Sequence, residues 1–75
     1  MAKVVFTRHA LTKLQERGIQ KEKVLATLRN PQKLTTEADK FYASRKFGKR
    51  YLKVIFVRAD ENVIVITQHY LDKLL

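Results

Sequence analysis

The chain has 75 residues and carries 16 Lys and Arg against 7 Asp and Glu, a formal net charge of +9. That length predicts one domain over residues 1–75, with a single small core covering only about 60% of the surface that the unfolded chain exposes. With no cysteine and with His9 and His69 as its two imidazoles, the chain offers no disulfide framework or thiolate site, and neither a metal nor a cofactor is expected. No apolar run approaches the roughly 20 residues needed to cross a bilayer, and the first residues lack the apolar core of a signal peptide, so the expectation is a cytoplasmic protein without a membrane partner.

In chain order, "KVVF" (3–6) predicts a short strand. Thr7 follows as a helix cap, and a first helix runs over residues 8–17 with Ala10, Leu11 and Leu14 as its apolar stripe. Gly18 supplies the left-handed residue that ends it. His9, in its first turn, is expected to hydrogen-bond toward the sheet, and Arg17 to serve the helix C-terminus through its charge. A second helix starts near Lys21 behind a Gln20 cap, burying Val24, Leu25 and Leu28. "RNP" (29–31) closes it, because Pro31 cannot continue a helix.

Beyond Pro31 the pattern alternates, which predicts strands joined by tight turns. In "FGKR" (47–50), Gly48 suits the first central position of a two-residue type II′ hairpin, pairing Phe47 with Arg50, Ser44 with Lys53 and Tyr42 with Ile55. "ADENV" (59–63) predicts a three-residue loop with Asn62 left-handed, pairing Ala59 with Val63, Ile55 with Thr67 and Lys53 with His69. A two-residue loop there would turn the last strand over.

These pairings predict an inner face of Phe41, Ala43, Leu52, Val54, Phe56, Ile64 and Ile66. The outer face then holds Tyr42, Ser44, Lys46, Tyr51, Lys53, Thr67 and His69 at one end, and Ile55, Val57, Val63 and Val65 at the other. Arg45, Lys49 and Arg50 crowd the hairpin tip, and no acidic residue occurs from Lys40 to Ala59. A one-sign block of this kind attracts polyanions.

A sheet face bearing cations and tyrosines is a common platform for single-stranded nucleic acid. Tyr42, Ser44, Arg45, Lys46, Lys49 and Arg50 are the candidate binding residues. Cleavage by a neighbouring 2′-hydroxyl needs a base, a cation to stabilise the phosphorane and an acid for the leaving oxygen. Lys53, His69 and Tyr51 are the candidate catalytic residues for that step. Bland readings stand beside these: Lys53 as a snorkelling lysine, the tyrosines as half-buried spacers, and the net charge as an aid to solubility.

"FTRHALTKLQERGIQKEKVLATLRNP", "RYLKVIFV" and "NVIVITQHY" together resemble a family of small uncharacterised domains. Its pattern is a Thr-x-His-Ala start, an Arg-Gly-Ile helix junction, an Asn-Pro stop and a closing Val-Ile-Thr strand. That family is similar to the RelE and ParE toxins and their BrnT-type relatives. The resemblance implies an α+β fold, a short strand followed by two helices on one face of an antiparallel sheet. It also implies a toxin-type ribonuclease, acting on RNA or the ribosome and neutralised by an antitoxin protein. Gln20 stands where the pattern commonly has Ser or Thr, and no compact catalytic motif matches residue by residue. Two alternatives remain open: a module that binds RNA or the ribosome without cutting, and a protein whose basic groove receives an acidic partner segment.

Overall fold

A computed structural model of the chain describes residues 3–73. After the short strand β1 (Val4–Phe6), Thr7 stays extended and its hydroxyl accepts from the Ala10 amide at 3.0 Å, starting α1 (Arg8–Arg17) at the expected cap. Gly18 ends α1 with φ 61°, a left-handed conformation open to glycine without a Cβ clash. α2 (Lys21–Arg29) then begins at Gln20, whose side chain makes no capping bond, and buries Val24 and Thr27. Thr27 is satisfied internally, its hydroxyl donating to the Lys23 carbonyl at 2.8 Å. Leu25 and Leu28 are only half-buried.

Leu11, expected in the α1 stripe, is instead 49% exposed. The helix meets the sheet along Ala10 and Leu14, and one residue beyond Ala10 turns about 100° around the axis, off the contact line. Ile19, between the helices, is buried in its place. His9 is also exposed, on the solvent side of α1.

The strands β2 (Lys33–Glu37), β3 (Lys40–Phe47), β4 (Arg50–Ala59) and β5 (Asn62–Leu71) complete a five-stranded sheet in the order β1-β5-β4-β3-β2. The sheet is mixed, which corrects the antiparallel expectation: β2 to β5 form an antiparallel meander, but β1 runs parallel to β5. The parallel direction brings Thr7 beside β5, where its amide donates to the Val65 carbonyl at 3.1 Å and its hydroxyl to the Ile66 carbonyl at 3.2 Å. The fold is α+β, with both helices on one face.

The β3–β4 hairpin has the expected register, Phe47 opposite Arg50, Ser44 opposite Lys53 and Tyr42 opposite Ile55. Gly48 has φ 64° and Lys49 has none of that sign, as a type II′ turn requires. The β4–β5 turn departs from expectation. It has two central residues, with Asp60 left-handed at φ 57° and Ala59 opposite Asn62. Asp tolerates that conformation because its short side chain bonds locally. Asn62 is in strand, its side chain accepting from the Lys3 amide at 3.3 Å.

Taken alone, a two-residue turn would have inverted β5. A bulge prevents this beyond Val65. Phe56 pairs with Val65 and Ile55 with Thr67, so Ile66 is the extra residue and the expected pairs Ile55–Thr67 and Lys53–His69 are restored. Before the bulge the faces are exchanged relative to expectation. Val65 is fully buried and Val63 packs on the core, while Ile64 stands opposite Val57 on the outer face. Ile66 is half-buried.

The core is therefore Ala10, Leu14, Ile19, Val24, Ala43, Leu52, Val54, Phe56 and Val65. Phe41 stacks on Phe56 with centroids 5.2 Å apart. Gln68 is buried among these groups, its Nε2 donating to the Ala10 carbonyl at 2.9 Å.

Thr7 thus both caps α1 and holds the bulge. Thr7→Val removes both roles while keeping the side-chain volume, and the expected loss is about 1–3 kcal/mol of stability in urea unfolding. A loss under about 0.5 kcal/mol would show that neither bond matters.

Candidate nucleic-acid interface

The helices cover one side of the sheet and leave the other open. On that open face the register lines up Lys33, Ser44, Lys53 and His69, one from each of β2, β3, β4 and β5. Neighbours in such a row stand about 5 Å apart. Tyr42 and Ile55 flank the row on one side, Lys46 and Tyr51 on the other.

Lys53 is half-buried, and its ammonium lies over the Tyr42 ring at 5.0 Å from the centroid. One face of Tyr42 is therefore taken by a cation rather than open to a base. Tyr51, half-buried, is opposite Leu71 and lies diagonally across from His69. The three candidate catalytic residues Lys53, His69 and Tyr51 are thus brought together on one corner of the face. Lys46 is exposed beside them, with its backbone amide held by Gln32 Oε1 at 2.8 Å, and Lys49 is exposed at the hairpin tip.

Three expected binding residues lie elsewhere or out of reach. Ser44 belongs to the row but is only 5% exposed beneath its longer neighbours. Arg45 and Arg50 project to the helix side, because they alternate with Lys46 and Tyr51 along their strands. Arg45 donates to the Ala26 carbonyl in α2 at 3.3 Å, and the Arg50 guanidinium lies 4.0 Å from the Tyr70 ring centroid.

Sequence reasoning missed Arg17. It was expected to serve its own helix end, but its guanidinium crosses to β5, donating to the Gln68 carbonyl at 2.7 Å and to Thr67 Oγ1 at 3.4 Å. β1 ends at Phe6, opposite Val65, and leaves the β5 edge open for this contact. Nothing local in "QERG" foretells it, since the partner lies 51 residues away. The result places a second cation near His69.

His69 is held below its ordinary pKa of 6.5, first by partial burial and then by the charges of Arg17 and Lys53. It is a neutral imidazole near pH 7, with a cation on either side. That state suits a base, and the flanking charges suit a phosphate. No group of three or more acidic, His or Cys side chains suited to a metal occurs among the described residues. No helix among them is long and apolar enough to cross a membrane.

A family model described as "Domain of unknown function (DUF4258)" matches residues 6–67. The chain belongs to this family. No curated protein and no solved structure matches it. The DUF4258 match runs from Phe6 to Thr67, so it takes in Thr7, Arg17 and Lys53 and stops two residues short of His69.

Because folding lowers the His69 pKa, the unfolded chain takes up the proton more readily. The His69 contribution to stability is therefore complete above 6.5 and is lost as pH falls from there through the folded value. In an NMR titration the His69 ring should have a midpoint below 6.5, and Lys53→Met should raise it. A midpoint above 6.5 would contradict the lowering by burial and by the two cations together.

Proposed function

We propose that this member of the DUF4258 family is a toxin-type ribonuclease of the RelE kind. On this reading it holds single-stranded RNA on the open sheet face and cuts it at the corner formed by Lys53, His69 and Arg17. The observation that carries the reading is a depressed imidazole between two cations on an exposed sheet face.

In the proposed reaction the RNA 2′-hydroxyl attacks the adjacent phosphorus, passing its proton to neutral His69. Lys53 and Arg17 stabilise the charge that develops on the phosphorane oxygens. The bond to the 5′-oxygen breaks, and Tyr51 supplies the proton that this leaving oxygen takes up. The products are a 2′,3′-cyclic phosphate and a 5′-hydroxyl. Lys46 holds a flanking phosphate. The ribosome is the natural source of an exposed strand, and the same basic face would receive an acidic antitoxin segment.

A second reading is favoured by one observation. The face forms no cavity among the described residues, whereas catalytic sites are usually concave. A module that binds RNA without cutting it fits that shape.

One experiment separates the two. A single-stranded RNA is incubated with the protein, alone and with ribosomes, while affinity is followed across a salt series. Lys53→Ala should flatten the salt slope by about 0.7, and His69→Ala should slow cleavage at least about 100-fold with little change in affinity. Salt-sensitive binding without any cleavage supports the non-cutting module. Binding that ignores salt overturns both.

A further inference from the structure

The β3–β4 hairpin carries cations on both of its sides. Lys46 faces the open side, Lys49 caps the turn, and Arg45 and Arg50 face the helix side. There they meet two rings. The Arg45 guanidinium and the Lys23 ammonium each lie 5.6 Å from the Phe47 centroid, and the Arg50 guanidinium lies 4.0 Å from that of Tyr70.

Lys23 and Arg45 thus converge on one ring and stand within about one Debye length of each other, where like charges repel. From Lys40 to Ala59 the chain has no acidic residue, and Glu22, next to Lys23 in α2, is the one acidic side chain within that helix. The Ala26 carbonyl accepts from Arg45 at 3.3 Å, and cation–ring contacts at a surface add only about 0.5–1 kcal/mol each, so the zone keeps an excess of positive charge. A polyanion would compensate it. A guanidinium lying on a ring also offers its other face to a nucleobase.

We propose that the RNA-binding surface does not end at the rim of the open face. It continues over the hairpin tip onto the helix side, where Arg45, Arg50 and Lys23 with Phe47 and Tyr70 form a second contact zone for phosphates and bases. The ligand class is a single strand long enough to bend round the tip. This rests on the RNA reading of the open face, and length dependence tells the two apart. A trinucleotide is short enough to sit on the open face alone, whereas a dodecanucleotide is long enough to reach both zones.

The test measures binding of a trinucleotide and a dodecanucleotide of RNA to the wild type and to Lys53→Gln, Lys49→Gln and Arg50→Gln, with thermal melts confirming the fold. Lys53→Gln should weaken both ligands. Lys49→Gln and Arg50→Gln should each weaken the dodecanucleotide about five- to tenfold, and the trinucleotide far less. Lys49 is an exposed turn residue, so its substitution stays informative if Arg50→Gln unfolds the protein by baring Tyr70. If Lys53→Gln weakens both ligands and the two tip variants weaken neither, the second zone is refuted and the open-face reading survives. If the wild type binds neither oligonucleotide, both are refuted.

Discussion

The arrangement of this protein depends on one clamp, the grip of α1 on the bulged part of β5. Thr7 donates from its amide to Val65 and from its hydroxyl to Ile66, Gln68 donates back to the Ala10 carbonyl, and Arg17 donates to the Gln68 carbonyl and to Thr67 Oγ1. Both ends of the helix are thereby tied to four consecutive residues of one strand. A bulged strand leaves backbone carbonyls out of the ladder, and each would cost free energy if buried without a partner. The helix supplies those partners, so the bulge is held in place. The bulge in turn decides which of Gln68 and His69 faces solvent, since a continuous register would set Lys53 opposite Gln68 and turn His69 inward.

The cost of this choice is visible in the core. Gln68 is fully buried, and its Oε1 has no hydrogen-bond partner among the described residues. An unpartnered buried carbonyl costs about 1–3 kcal/mol, a large fraction of the stability of so small a domain. An apolar residue would serve packing better at that position. Its Nε2 is satisfied by the Ala10 carbonyl, and the same shift that buries Gln68 brings His69 out beside Lys53.

Much of this was legible in the sequence, for identifiable reasons. Thr7, Gly18 and Pro31 mark helix ends through backbone chemistry that acts locally, and Gly48 selects its turn in the same way. The alternation in "RYLKVIFV" settles its faces because polar and apolar residues take turns. β5 is different: "VIVI" is apolar on both sides of the strand, so periodicity cannot say which residues face inward. The expectation of a three-residue loop at "ADENV" gave the correct partner for Lys53 for the wrong reason, since the extra residue is Ile66 within the strand. Arg17 was illegible because its role is a long-range contact, and Arg45 and Arg50 were misjudged as part of one patch although their strand positions send them to the other side. Neither turn chemistry nor charge counting could have shown that cations line both sides of the hairpin.

The central structural claim is that one register holds near the β4–β5 turn and another beyond the bulge. Cross-strand NOEs between backbone protons report this directly. Arg58 should be opposite Val63, with Lys53 opposite His69, so that the register shifts by one residue between these pairs. A continuous register with Lys53 opposite Gln68 would place His69 on the helix side and contradict the account.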